Sequence, residues 1–384
     1  MGYKFSTKCL YGNGLKPSCD KSGAVSFPIY QTATFAHVGV GESTGYDYSR
    51  LQNPTREQLE QVVASLEAGS DALAFSSGMA AIAALMEIFQ PGDHIITDSD
   101  LYGGSIRLFD HISKKNGLTF SHVNCSKEEI EPYINEYTKA VFIETPSNPM
   151  MNITDIRKMS AIAKRHQLLL IVDNTFLSPY FQNPLKLGAD IVIHSGTKYL
   201  GGHNDTIAGF LVVSSKEISE KLRFIIKTVG SGLAPFDSWL ILRGIKTLAL
   251  RMEQAQKNAI AIVDWLLQEK KISKVYYPGI PESEGYEVCK SQARGFGSMI
   301  TFEVETKELA VKILNNVKLI QFAESLGGVE TLITYPITQT HADVPKEVLA
   351  ANGVTEKILR LSVGIEDTED LLDELRRVFY ECED

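Results

Sequence analysis

Three short stretches of this sequence place groups of complementary chemistry within reach of one another. Lys198 closes Ser195-Gly196-Thr197-Lys198, a few residues beyond the apolar run Ile191–His194. Two hydroxyls and an amine past the end of a strand suit a phosphate and a carbonyl. The order Thr-Lys, with no glycine upstream in register, is not a P-loop, and a single loop lysine is ordinarily solvated surface. Asp173 changes that balance. It ends the most apolar run of the chain, Leu168-Leu169-Leu170-Ile171-Val172-Asp173, and a carboxylate at the mouth of a buried strand is costly unless it meets a cation. A protonated pyridine nitrogen is such a cation. An aspartate for a ring nitrogen and a lysine 25 residues later for an aldehyde are what pyridoxal 5'-phosphate (PLP) asks of a protein. Ser76-Ser77-Gly78-Met79-Ala80 follows a run ending at Phe75 and opens a small-residue helix. Its free N–H groups and positive helix end offer an anion site, although such helix starts also serve plain packing. Tyr102, in Leu101-Tyr102-Gly103-Gly104, suits either stacking on an aromatic cofactor or a simple turn.

These residues need a scaffold that brings them together. From about residue 56 onward helical periodicity alternates with short apolar runs at Ala72–Phe75, His94–Thr97, Leu118–Val123, Ala140–Glu144, Leu168–Asp173, Ile191–His194 and Ala208–Val213. Continuous apolar runs between helical stretches predict strands buried on both faces, hence a mostly parallel α/β sheet. Ligands of such sheets bind at the carboxyl ends of the strands, where Asp173, Ser195 and the Ser76–Ala80 turn all fall. Helical text from Asp237 to about Lys270 leads into a second pattern, with strands over Ser298–Val304, Ile320–Ala323 and Leu359–Val363 and helices over Lys307–Asn315 and Thr368–Phe379. The expected organisation is an arm over residues 1–50 that reaches a neighbouring subunit, a large α/β domain over 51–240 and a smaller α+β domain over 241–384.

Composition narrows the partners. The chain has 384 residues, 38 basic and 47 acidic side chains and a net charge of −9, which argues against nucleic acid or an anionic membrane as the main partner. No apolar run approaches the roughly 20 residues of a spanning helix, and no secretory pattern opens the chain. Gly2 and Ser6 match only the loose myristoylation pattern, and Cys382 stands third from the end, out of register for prenylation. Five scattered cysteines (Cys9, Cys19, Cys125, Cys289 and Cys382) form neither a disulfide framework nor a zinc site. A reduced, cytoplasmic, metal-free protein is expected.

Seven ordered motifs together resemble one family closely. They are Tyr48-Ser49-Arg50 with Asn53-Pro54-Thr55, Ser76-Ser77-Gly78-Met79, Tyr102-Gly103-Gly104, Glu144-Thr145-Pro146-Ser147-Asn148-Pro149, Asp173-Asn174-Thr175, Thr197-Lys198-Tyr199 and Arg360-Leu361-Ser362-Val363-Gly364. From about residue 24 to the end the chain resembles the PLP-dependent enzymes of cysteine and methionine metabolism: cystathionine γ-synthase, the cystathionine β- and γ-lyases, methionine γ-lyase and the homoserine sulfhydrylases. The resemblance implies a fold-type-I PLP enzyme. In it Lys198 holds the cofactor and shuttles protons, Asp173 keeps the pyridine nitrogen protonated, Tyr102 stacks on the ring and Asn148 contacts the ring hydroxyl. Ser77, Gly78, Met79, Ser195 and Thr197 would bind the phosphate. Tyr48 and Arg50 would reach the phosphate of the adjacent subunit, which implies a dimer, usually paired into a tetramer. Arg360 would clamp the substrate α-carboxylate, for which the planar guanidinium is suited, with Ser325 also on the substrate side.

Asp47 and Glu324 bear on which reaction is run. In the γ-synthases and γ-lyases, acidic residues at these places face the distal ammonium of cystathionine or the incoming cysteine, and Asp47 with Tyr102–Ser105 and Phe236–Ser238 leans toward the synthase. The segment Gly230–Asp237 resembles plant β-lyases as well. Forming or cleaving the γ C–S bond of cystathionine is the expectation. Cystathionine β-lyase, methionine γ-lyase, O-acylhomoserine sulfhydrylase, an aminotransferase or a regulatory PLP-binding protein are the alternatives. Three departures from the family pattern stand out: Gly196 for Ala or Cys, Asn204 for Ser, and Gln339-Thr340-His341-Ala342-Asp343 for Met-Thr-His-Ala-Ser.

Overall fold

The computed structural model describes residues 2–14, 23–342, 344 and 346–380; Cys19, Asp343 and Cys382 lie outside them. A large sheet is built from β1 (Asp71–Phe75), β2 (His94–Asp98), β3 (Thr119–Val123), β4 (Thr138–Glu144), β5 (Leu169–Asp173), β6 (Ile191–Ser195) and β7 (Gly209–Val213). Their spatial order is β1-β7-β6-β5-β4-β2-β3. Five neighbouring strands run parallel, and β7 lies antiparallel to both β1 and β6. The apolar runs predict this because a strand covered by helices on both faces has no polar side to show. Every residue of β7, and all but the first of β5, is buried.

The register sets the site. Glu144 pairs with Asp173 across β4 and β5, and Ser195 pairs with Gly209 across β6 and β7. The carboxyl ends of β4, β5 and β6 therefore carry Glu144, Asp173 and Ser195 side by side. Phe75, at the end of β1, faces Gly209 from the other side. There the chain turns into helix Gly78–Met86, whose N-cap Ser77 accepts from the Ala80 N–H. Capping by Ser leaves the N–H groups of Gly78 and Met79 without intrahelical acceptors.

A second sheet holds β8 (Ile272–Tyr276), β9 (Met299–Val304), β10 (Gln321–Phe322), β11 (Leu332–Thr334) and β12 (Ile358–Ser362), ordered β10-β11-β12-β9-β8. It is antiparallel except for the β10–β11 pair. Helix Leu248–Leu266 ties the two sheets together: Leu248 and Met252 sit in the core of the large sheet, and Ala259 and Ile262 in that of the small one. The single helical run expected from Asp237 is two helices, Pro235–Ile245 and Leu248–Leu266. The break follows from Arg251, which donates to the carbonyls of Gly244 and Tyr199 and so pins the bend against the segment just after Lys198.

Two other local differences have clear causes. The helical stretch expected between the runs His94–Thr97 and Leu118–Val123 is α-helical only over Gly103–Arg107 and widens to a π-turn over Leu108–Ser113. The wider turn seats Phe109, which stacks on Phe120 at 4.9 Å and meets the edge of Phe142 at 5.3 Å. Within residues 1–50, helix Phe5–Tyr11 packs on its own chain, with Cys9 buried and Lys8 donating to the Ser65 carbonyl. Residues 23–50 form only isolated bridges, Thr34 to Tyr48 and Gly39 to Glu42. Among the described residues no helix is long and apolar enough to cross a membrane.

Candidate active site

A cavity of about 250 Å³ opens where the carboxyl ends of the large sheet meet the small one. Ser77, Gly78, Met79, Tyr102, Asn148, Asp173, Ser195, Thr197, Lys198, Glu324, Ser325 and Arg360 all line it. Residues nearly 300 positions apart are thus gathered at the place where the topology of a parallel sheet leaves a crevice.

Lys198 points its Nζ at the Ser325 Oγ, 2.7 Å away. Burial, and next the Arg360 guanidinium, push its pKa down to about 8, while Glu324 pulls the other way. A free amine is therefore accessible near neutrality, which a nucleophile or base requires. Asp173 is buried, and its Oδ1 accepts from the Thr175 N–H at 3.0 Å and the Thr175 hydroxyl at 2.6 Å. Its Oδ2 takes no hydrogen bond among the described residues. Burial pushes the neighbouring Glu144 up furthest, with Asp173 adding to the effect. Burial pushes Asp173 up as well, and its two hydrogen bonds from Thr175 oppose that rise by stabilising the charged form.

Arg360 lies within β12 and is 1% exposed. Its two terminal nitrogens donate to Asn148 Oδ1 at 2.8 Å, the Ser325 carbonyl at 3.0 Å and the Thr334 hydroxyl at 3.3 Å. Its Nε is buried without a partner. Because Arg only donates, the Asn148 amide is oriented with its oxygen toward Arg360 and its NH2 free for the cavity. Tyr102 is held through its backbone, whose N–H donates to Glu144 Oε2 at 2.8 Å. Its ring leans over Gly104, where a Cβ would stand 2.5 Å from the ring.

Pyridoxal phosphate fits this donor set. A cation-seeking Asp173 oxygen, an amine, an aromatic lid and a helix N-terminus are the groups its ring nitrogen, aldehyde, ring face and phosphate need. At the phosphate end glycine lets the strand lie against the turn that opens the helix: a Cβ on Gly209 would lie 2.1 Å from the Ser77 carbonyl and 2.6 Å from the Gly78 nitrogen. The Thr197 hydroxyl is already engaged with the Ala208 backbone, so Ser195 is the freer of the two expected hydroxyls.

Three expected site residues stand apart from the cavity. Tyr48 is 44% exposed, with Arg50 over its ring at 5.6 Å and the Arg50 guanidinium donating to the Lys227 carbonyl. Asp47 accepts from Ser43 and pairs with His37 at 3.2 Å. Glu144 holds the Tyr102 backbone and Thr175 the Asp173 carboxylate, two contacts that the sequence pattern does not assign. Glu144 sat inside a quoted motif and Thr175 two residues past Asp173; the donor–acceptor pairs themselves depend on strand register.

The departures have local explanations. A Cβ on Gly196 would stand 2.4 Å from the Phe210 ring, so the large aromatic accounts for glycine. Asn204 has φ of 54° and donates to Glu330 at 2.7 Å, a left-handed conformation that asparagine tolerates better than most residues. Gln339 folds back to accept from the Tyr335 N–H.

Known proteins share this fold over nearly the whole chain. The chain is 49% identical to a cystathionine γ-lyase of Bacillus subtilis over 93% of this chain and 94% of that protein. It is also 49% identical to a cystathionine β-lyase of Lactococcus lactis over 96% of this chain and 97% of that one. A solved cystathionine γ-synthase from Xanthomonas oryzae, in complex with aminoacrylate and cysteine, superposes with a TM-score of 0.96 at 38% identity, covering 100% of this chain and 99% of that one. Equal likeness to proteins named for different reactions leaves the choice among them to the pocket's own charges. The family model for Cys/Met metabolism PLP-dependent enzymes matches residues 7–380, a span that takes in every residue lining the cavity, and the chain belongs to that family.

Proposed function

We propose that the enzyme makes or breaks the γ C–S bond of cystathionine. The observation that carries this reading is the charge pattern around Lys198. Arg360 and Glu324 line the same cavity and act on the Lys198 amine in opposite senses. A substrate with a carboxylate at one end and a second ammonium at the other matches that pair, and cystathionine has both. PLP, when bound, supplies an electron sink for the substrate carbanion. Lys198, oriented by Ser325, takes and returns protons on the substrate carbons. Arg360 holds the α-carboxylate, and Asp173 holds its charge where the ring nitrogen would lie. Glu324, exposed at the rim, meets the distal ammonium.

Exposure of Val25 (99%), Val38 (77%) and Val40 (108%) supports residues 23–50 as an arm covered by a neighbouring subunit. Tyr48 and Arg50 then serve the partner's phosphate site, in a dimer that pairs into a tetramer. The division into a large domain to about residue 240 and a smaller one beyond it belongs to the same reading, supported by the two sheets and their separate cores. Buried free thiols at Cys9, Cys125 and Cys289 fit a reducing, cytoplasmic setting.

Glu324→Gln tests the reading. Loss of one charge-assisted contact is expected to raise KM for L-cystathionine, or for cysteine as attacking thiol, by about tenfold. An unchanged KM for both removes it.

A further inference from the structure

His341 lies in the Tyr335–Val344 loop between β11 and β12, is 3% exposed and has no role in the chemistry above. Its Nε2 is 3.1 Å from the Asn148 carbonyl and its Nδ1 is 2.8 Å from the Thr340 hydroxyl. A carbonyl only accepts, so Nε2 carries the hydrogen, and Nδ1 of the neutral ring accepts from Thr340. The loop is fixed on both sides of the ring: the His341 N–H donates to the Pro336 carbonyl, and its own carbonyl accepts from Val344. Next to it, the Thr340 carbonyl presses on Gly103, where a Cβ would be only 2.5 Å away.

We propose that His341 is a positioning residue that braces Asn148 from behind, and through Asn148 holds Arg360 in place for the substrate carboxylate. Asn148 is gripped at two points, its carbonyl by His341 and its side-chain oxygen by Arg360 at 2.8 Å. Releasing the first grip lets the 147–149 turn rotate and carries the second with it. Burial, and next the Arg360 guanidinium, push the imidazole down to about 4, with the carbonyls of Asn148 and Leu101 opposing. The ring therefore stays neutral in the working range and acts as a fixed donor, not as an acid or base.

The two nitrogens can be separated by substitution, since a Gln amide reaches where Nε2 does and an Asn amide only where Nδ1 does. In the PLP-loaded full-length enzyme, His341→Asn and His341→Phe are expected to raise KM for the amino-acid substrate by about tenfold with kcat within about threefold. His341→Gln is expected to restore KM to within about threefold of the unsubstituted enzyme. Hydrogen exchange at the amides of 147–152 is expected to quicken in the Asn and Phe variants and not in Gln. Equal impairment by Gln and Asn, or unchanged exchange in the Phe variant, would overturn the brace. The proposal rests on Arg360 as the carboxylate clamp, and Arg360→Lys separates the two. If Arg360→Lys leaves KM unchanged the clamp reading fails; if it raises KM while His341→Asn does not, the His341 proposal alone fails.

Discussion

Lys198 is useful because it releases its proton easily, and the cause is spatial: enclosure costs the charged form, and the Arg360 cation adds to that cost. A lowered pKa means more free amine at lower pH. Labelling of Lys198 in the cofactor-free protein by an uncharged amine-reactive probe, read by peptide mass spectrometry, is therefore predicted to rise with pH through a midpoint near pH 8 and level off above it. A rate still climbing at pH 10 would contradict the enclosure. Asp173 and Glu144 are adjacent carboxyls that burial pushes up, and Thr175 favours the charged form of Asp173. Asp173→Asn removes that charge and is predicted to lower kcat by about two to three orders of magnitude. Glu144→Gln keeps an acceptor for the Tyr102 N–H and is predicted to cost less than about tenfold. Steady-state kinetics on both variants check this, and an equal loss would contradict placing the working charge on Asp173. At this scale the sequence pointed to Lys198, Asp173 and Arg360, which the fold brings to one cavity. It could not reveal that Asn148 and Arg360, 212 residues apart, fix one another's orientation, because such a bond has no local signal.

Elements matter here through where they end. β1, β6 and β7 bring Phe75, Ser195 and Gly209 to one level, and the helix starting at Gly78 presents its N-terminus to the same spot. Gly209 is what lets the strand and the helix start approach. Gly209→Ala would drive a methyl into the Ser77 carbonyl, and the affinity for PLP, measured by equilibrium dialysis, is predicted to fall at least about tenfold. Unchanged affinity would mean the cradle yields elsewhere. The strands of the large sheet were readable because burial on both faces leaves uninterrupted apolar runs. β8 and β11 were not. Ile272–Tyr276 is half-exposed and mixed in polarity, and Leu332–Thr334 has three residues, too few for a period. The π-turn at Leu108–Ser113 was also out of reach, since aromatic contacts from distant strands decide it.

For the whole molecule, the single chain leaves Tyr48 and Arg50 outside its own cavity and a set of arm valines uncovered. If these belong to a partner's site, Lys198→Ala and Arg50→Ala chains fail in different halves of one dimer. Mixed after mild dissociation and reassociation, they are predicted to recover about a quarter of full activity, because half the dimers are mixed and each holds one intact site. No recovery would confine each site to one chain. Residues 1–50 were legible only as a lack of periodicity; any contact with a second copy leaves no trace in one chain's pattern. The reaction itself is tested most directly by the product. PLP-loaded enzyme given L-cystathionine alone is predicted to release 2-oxobutyrate, ammonia and cysteine, or, where it leaves cystathionine intact, to make cystathionine from an O-acylated homoserine and cysteine with release of the acyl group as its acid. Pyruvate with homocysteine would show cleavage on the β side and contradict the roles given to Glu324 and Asp47.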